Sequence, residues 1–204
     1  DLDADTCLLQ IGGNHQPGNS SAYDENLFTS YDHRRDLLLP GDLRKRRTDF
    51  TVTLDRDFES VMRLCAAPRA DGMGTWISEE MITAYVNLHQ LGFAHSLEIW
   101  QDGAIAGGVY GIKLGGVFFG ESMISPRQNG SKMAFAALRA LAPTLGIELI
   151  DAQVENPHLL TLGAELIDRP AFESLLHQLI PDAAKAERWP DTDWDRSLIL
   201  ESAR

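Results

Sequence analysis

Residues 95 to 123, "HSLEIWQDGAIAGGVYGIKLGGVFFGESM", contain three runs rich in β-branched, aromatic and aliphatic residues, separated by "QDG" and "LGG". Asp-Gly and Gly-Gly pairs supply the positive φ angles that tight hairpin turns need. The stretch therefore predicts an antiparallel meander. Upstream, "DFTVTLD" (49 to 55) alternates like a strand, and "RDFESVMRLCAA" spaces Phe58, Val61, Met62 and Cys65 along one helical face. Ser78 can cap a second helix with Met81, Ile82, Tyr85 and Leu88 on one stripe, acidic residues in its first turn and Gly92 at its end.

Downstream, "SKMAFAALRALAPTLG" predicts a helix that buries Ala134, Phe135, Leu138, Leu141 and Leu145, with Pro143 tightening its last turn and Gly146 stopping it. "IELIDAQV" follows as a strand, "PHLLTLGA" as a short helix and "ELI" as a short strand. "RPAFESLLHQL" is a helix with Pro170 in its first turn. Residues 1 to 48, rich in Gly, Asn, Ser and Pro, read as a short, irregular N-terminal lobe, with the main domain spanning 49 to 204.

At 204 residues and 44% hydrophobic content the chain can bury a substantial core. No apolar run approaches the roughly 18 residues that span a bilayer, so no membrane partner is expected. The start lacks the basic segment of a signal peptide and does not begin with Met; further residues upstream are expected. Cys7 and Cys65 stand far apart with no CxxC pattern, and no histidine has a partner at metal-ligand spacing. A cytoplasmic protein without a metal is expected. The formal charge of −12, from 18 basic and 30 acidic residues, excludes sequence-indifferent coating of nucleic acid. The run "RKRR" (Arg44, Lys45, Arg46, Arg47) can still steer one end of an RNA, or be a solvated face.

"LIDAQVEN" (149 to 156) places polar residues where more core is expected. In an extended strand Asp151 and Gln153 share a face, with Ala152 and Val154 on the other. Burying a carboxylate is costly unless it is paired or used, so the pair is either a satisfied network at a sheet splay or a site. Glu121, in an otherwise apolar strand, raises the same question.

The element order resembles the GNAT-like acyltransferase fold, an α/β (α+β) arrangement with a mixed central sheet flanked by helices. Fold alone does not assign chemistry. In that fold a glycine-rich loop at a helix N-terminus holds the coenzyme A pyrophosphate through free backbone N–H groups. Here the loop is "RQNGSK" (127 to 132), and Lys132 occupies the place of a small residue. Coenzyme A is not expected.

"GTWI" (74 to 77), "GESM" with "NGSK" (120 to 132) and "DAQVEN" (151 to 156) together resemble the bacterial leucyl/phenylalanyl-tRNA–protein transferases, from about Thr75 to Phe172. The resemblance implies an aminoacyltransferase that moves an amino acid from the 3′ end of aminoacyl-tRNA to an amine, with no cofactor and no ATP. It implies that the Gln153 carbonyl meets the attacking amine, that Asp151 polarises the Gln153 amide, and that Glu121 binds the acceptor's ammonium. It places Trp76, Val109, Phe118, Ile124, Leu138 and Asn156 around the substrates. Asn129, Ser131 and Lys132 match the loop near the terminal adenosine.

The family's "FPWF"-like and "WWSP" stretches are replaced by "NLFTSYDHRRDLLLP", and Val109, Ile124 and Leu138 stand where Met or Phe is usual. The donor amino acid and the acceptor are therefore open. The acceptor is a protein N-terminal Arg or Lys or, alternatively, a small amine or amino acid in natural-product biosynthesis. A GNAT N-acetyltransferase is disfavoured by Lys132. A noncatalytic tRNA-binding protein is disfavoured by Asp151, Gln153 and Glu121 occurring together.

Overall fold

The structure is a computed structural model and describes residues 27–32, 49–67, 75–153, 159–160, 162–181, 185–195 and 197–202. In chain order they form β1 Leu27–Asp32, β2 Thr51–Leu54, α1 Phe58–Ala66, α2 Glu79–Gln90, β3 Ala94–Gln101, β4 Ala104–Leu114 and β5 Val117–Ile124. Then come α3 Gly130–Leu141, β6 Leu149–Gln153, β7 Glu165–Asp168, α4 Arg169–Leu179, β8 Trp194–Asp195 and α5 Ser197–Ser202. The strands make one eight-stranded sheet in the order β7-β1-β6-β5-β4-β3-β2-β8.

The expected meander is present, with β3 antiparallel to β4 and β4 to β5. Its first turn places both Asp102 (φ 50) and Gly103 (φ 74) in the left-handed region, the requirement of a hairpin turn that matches strand twist. α3 then crosses over so that β6 runs parallel to β5, from Val117↔Leu149 to Phe119↔Asp151. This is the mixed sheet with helices on its faces that the element order predicts.

The helices begin and end where the capping chemistry directs. Asp57 accepts a hydrogen bond from the Ser60 N–H, Ser78 from Met81 and Asp168 from Ala171. Gly92 follows α2 at φ 80, and a Cβ there would lie 2.8 Å from the Glu187 carbonyl, so both conformation and space require glycine. α3 is α-helical only to Leu141. Tight turns carry the chain past Pro143 to Gly146 at φ 62.

Among the described residues the two larger apolar clusters lie on the two faces, and a third, smaller one joins Val117 and Leu149 to Phe172 of α4. Val109, Phe118, Met123, Ile150 and Ala152 pack with α3, whereas Tyr110 and Ile124 pack with Phe58, Val61, Met62, Cys65 and Ile82 from α1 and α2. Cys65 is core, as its helical spacing predicts.

One element departs from the sequence expectation. Residues 27 to 32 lie within the segment expected to be an irregular lobe, yet they form β1, a strand of the central sheet antiparallel to both β6 and β7. Turn-forming neighbours hide it from a pattern search. Pairing on both edges supplies backbone hydrogen bonds that no local propensity records.

Candidate active site

Among the described residues the sheet opens between β5 and β6, and two irregularities create the opening. Pairing of β5 with β6 stops at Phe119↔Asp151. Immediately beyond, the β4–β5 register jumps from Gly111↔Gly120 to Tyr110↔Ser122, leaving Glu121 as the extra residue of a bulge. On the other side of β6, Ser30 faces Asp151 and Thr29 faces Gln153, so Ala152 is the extra residue there. Bulges re-aim side chains and end pairing. Here they bring Glu121, Asp151 and Gln153 together where β5 and β6 part.

Asp151 is 4% exposed, and burial pushes its carboxyl up to about 6 even though the Gln153 backbone N–H donates to Oδ1 at 2.8 Å. Gln153 stands at φ 59, a left-handed conformation that costs a non-glycine residue about 1 to 3 kcal/mol. It is held by that hydrogen bond and by its own side chain, whose Nε2 donates to the Gly120 carbonyl at 3.1 Å across the opening. Ala152 packs with Ile150 on the α3 side, while Asp151 and Gln153 both act on Glu121; the left-handed turn at Gln153, and not alternation alone, sets the direction of its side chain. Asp151 grips the Gln153 main chain and not its side-chain amide. With Nε2 donating to Gly120, the Gln153 carbonyl is the acceptor end of the amide.

Burial likewise raises the Glu121 carboxyl to about 6; hydrogen bonds with the Tyr85 hydroxyl and the Gln153 side chain pull it down, and the Asp151 charge pushes it up. Tyr85 itself is raised, by burial first and by the Glu121 carboxylate second. The sequence pattern gave Tyr85 only a place on the apolar stripe of α2, and a hydroxyl meeting a carboxylate on another element carries no local signal. Its ring meets Tyr110 edge-on at 5.6 Å, and Tyr110 meets Phe58 in the same way at 6.0 Å. Burial pushes the neighbouring Cys65 thiol up to about 12, against a hydrogen bond with Ser122, so it is no nucleophile at neutral pH.

The other residues singled out from sequence divide by place. Val109, Phe118 and Leu138, each at most 3% exposed, lie together between the sheet and α3. Trp76 and Ile124 pack on the opposite face with Tyr85 and Tyr110. The five therefore form two sets and not one lining. Asn129 (φ 65) and Ser131 are buried at the start of α3, where the Ser131 N–H donates to Ser125 Oγ at 3.2 Å. Lys132 is partly exposed beside them. α3 sits so close to β4 that a Cβ on Gly130 would lie 1.9 Å from the Ala106 carbonyl, and one on Gly107 2.2 Å from the Gly130 carbonyl. Asn156 and the run Arg44, Lys45, Arg46, Arg47 lie outside the described residues. Among the described residues no group of three or more His, Cys, Asp or Glu side chains is arranged to hold a metal, and no helix is long and apolar enough to cross a membrane.

A partly buried amide beside two carboxyls raised by burial, at a sheet opening, can accept a hydrogen bond from an amine and hold its cationic form. Comparison with known proteins agrees on the family. A family model described as leucyl/phenylalanyl-tRNA protein transferase matches residues 35–177. Proteins named leucyl/phenylalanyl-tRNA–protein transferase include one from Alcanivorax borkumensis, 60% identical over 150 residues covering 74% of this chain and 62% of that protein. Another, from Nitrosospira multiformis, is 40% identical, covering 89% of this chain and 87% of its own length. One from Desulfatibacillum aliphaticivorans is 44% identical with the same coverage of 89% and 87%. The chain thus spans less than two thirds of the Alcanivorax relative's length. A solved structure described as a GCN5-related N-acetyltransferase-like protein from Streptococcus suis aligns over 72% of this chain and 61% of its own, at 22% identity and a TM-score of 0.35, a likeness too loose to assign chemistry.

Proposed function

The chain belongs to the leucyl/phenylalanyl-tRNA–protein transferase family, and from that premise we propose that it is an aminoacyltransferase, moving a hydrophobic amino acid from aminoacyl-tRNA to the N-terminal Arg or Lys of a protein. The observation that carries this reading is the cluster of Glu121, Gln153 and Asp151 at the sheet opening. In the reaction the acceptor nitrogen attacks the ester carbonyl, a C–N bond forms and the ester C–O bond breaks. The proton lost by nitrogen ends on the ribose hydroxyl that leaves. The ester is already activated, so ATP and coenzyme A have no part. The protein's task is to orient two substrates and manage one proton.

In this reading the Gln153 carbonyl accepts the hydrogen bond of the attacking amine. Asp151 fixes the Gln153 backbone in its left-handed conformation. Glu121 binds the acceptor's ammonium, which gives one proton to solvent to become the neutral amine that attacks. The donor side chain lies toward Val109, Phe118 and Leu138, and Asn156 completes the substrate contacts. Asn129, Ser131 and Lys132 serve the terminal adenosine, and Arg44 to Arg47 the acceptor stem. An enzyme using charged tRNA belongs in the cytoplasm, where addition of a hydrophobic residue to a protein N-terminus marks it for degradation.

The test is a panel of separately charged, radiolabelled tRNAs incubated with the purified protein and with peptides beginning with Arg, Lys or Ala. Label passing from leucyl- or phenylalanyl-tRNA to the Arg and Lys peptides is the expected result. Transfer only to free small amines would reassign the acceptor to natural-product assembly, and transfer from acetyl-CoA with none from tRNA would reject the reading.

A further inference from the structure

Toward the far edge of the sheet an open cleft of about 660 Å³ lies where β2, β8 and the β3–β4 hairpin meet, a volume within the range of small-ligand sites. Its charged lining sets Asp49, Asp102, Asp193 and Asp195 against Arg56, a net charge of −3. The guanidinium of Arg56 is already engaged, donating to Asp193 and lying 3.8 Å from Asp191. Asp49 has no ion-pair partner among the described residues.

Two further features point to a ligand. Thr51 pairs across the ladder with Trp100 on one side and with Asp195 on the other, so an indole and a carboxylate stand on one face of the sheet with a threonine between them. The indole is fixed there, because its Nε1 donates to Thr53 Oγ1 at 2.7 Å. Gln101 also lines the cleft; it is only 9% exposed, and its side-chain amide has no hydrogen-bond partner among the described residues. A buried amide is unfavourable until something pairs with it.

We propose that this cleft is a second binding site, which takes an ammonium or guanidinium group carried on an alkyl chain. The aspartates supply the opposite charge, Trp100 a face on which a cation and its methylenes pack, and the Gln101 oxygen an acceptor for a cationic N–H. The same lining repels phosphates and carboxylates. From β5 to β2 are three strand spacings, roughly 14 Å, so an amine held at the sheet opening does not occupy the cleft. Two sources carry the required group: a Lys or Arg side chain further along the acceptor polypeptide, and a free polyamine. An extended chain needs at least about four residues to cover that separation, which sets where the side chain must fall.

The experiment measures binding by calorimetry with an N-acetylated peptide carrying a single Lys, its Ala counterpart, and spermidine. The blocked amine keeps the peptide out of the transfer reaction, so the result stands or falls independently of the transferase reading. Wild type should bind the Lys peptide or spermidine, and not the Ala peptide. Asp49→Asn should weaken that binding about 2- to 5-fold, the worth of one partly exposed ion pair. Gln101→Met keeps the bulk, removes the amide, and should weaken it about 3- to 10-fold. Where Gln101→Met fails to fold, the exposed Asp49 decides. Glu173→Gln on α4 makes an equal charge change elsewhere and should leave binding as in wild type. Kinetics separate the sources, using acceptor peptides that begin with Arg and differ only by Lys or Ala beyond about the fourth residue. A lower KM for the Lys peptide that Asp49→Asn abolishes assigns the site to the acceptor polypeptide; equal KM values with spermidine bound assign it to a free polyamine. Binding of neither the Lys peptide nor spermidine, unchanged binding in Asp49→Asn, or equal weakening in Glu173→Gln would overturn the inference.

Discussion

The Asp151 carboxylate accepts a hydrogen bond from the backbone N–H of Gln153 at 2.8 Å, and Gln153 is held at φ 59. A side chain two residues back thereby pins the conformation that turns the Gln153 amide toward Gly120 and Glu121. The strain is local, and the buried carboxylate that holds it is itself unfavourably placed. Both facts yield measurable consequences.

If Asp151 aims Gln153 and the Gln153 oxygen takes the amine's hydrogen bond, Gln153→Glu and Asp151→Asn should slow single-turnover transfer with tRNA affinity nearly intact. Positioned proton transfer is worth about 10² to 10⁴ in rate, and an amide is a weak base, so the lower end is expected. Rates near wild type in both variants, with fold confirmed by circular dichroism, would reduce the pair to a structural network.

The carboxyls of Asp151 and Glu121, raised to about 6 from ordinary values of 3.8 and 4.5, make a pH prediction. A raised folded value means that the folded state binds the proton more tightly than the unfolded chain. The two groups therefore cost nothing below pH about 4, and their penalty grows until it is complete above pH about 6. For the 4% exposed Asp151 that penalty is on the order of 1 to 3 kcal/mol at neutral pH. Asp151→Asn keeps an oxygen for the Gln153 N–H and loses the charge. Denaturant unfolding should find it more stable than wild type at pH 7, with the gap closing toward pH 4. A gap independent of pH would show that burial does not perturb this carboxyl.

Glu121→Gln keeps the size of the side chain and removes its charge. It should raise the acceptor KM more than it lowers turnover, the signature of a lost ground-state contact. Tyr85→Phe frees Glu121 from one hydrogen bond and should reproduce a weaker form of the same change. A fall in turnover alone would move Glu121 from binding to chemistry.

The meander, the helices on both faces and the polar residues of β6 were legible because each leaves a local trace: period-two alternation, capping residues, a carboxylate amid core. β1 left none, since its stability comes from strands far along the chain. The bulge at Glu121 and the left-handed Gln153 were also invisible, because alternation assumes the regular ladder that both interrupt. Tyr85 read as core, and it is core by its ring; only its hydroxyl belongs to the site. Ile124 and Trp76 were grouped with Val109, Phe118 and Leu138 by motif, and a single residue of register separates their faces.

Contact between α3 and β4 leaves no room at Gly107 or Gly130. Gly130→Ala places a Cβ against a backbone carbonyl that cannot rotate away, so α3 must lift from the sheet at the end that carries Ser131 and Lys132. The expected cost is about 1 to 3 kcal/mol or more, a fall in melting temperature of several degrees. Affinity for aminoacyl-tRNA should drop beyond what the lost stability explains. An unchanged melting temperature would deny the close approach.

Donor selection is the sharpest test of where the amino-acid side chain goes. Val109, Phe118 and Leu138 are packed in one core against α3, and such a position is compatible with pure packing. Packing and recognition separate under truncation. Leu138→Ala should cost about 2 to 5 kcal/mol of stability in either case, because a buried Leu leaves a cavity. Only if that space adjoins the donor should the preference also move, toward a larger side chain, by about 10- to 200-fold between competing charged tRNAs, the range of one to a few methylenes. Val109→Met pushes the opposite way, filling the space and favouring the smaller donor, so the two variants should shift phenylalanyl against leucyl transfer in opposite directions. Stability losses with an unmoved preference in both would make these three residues core and send the donor side chain to the face of Trp76 and Ile124.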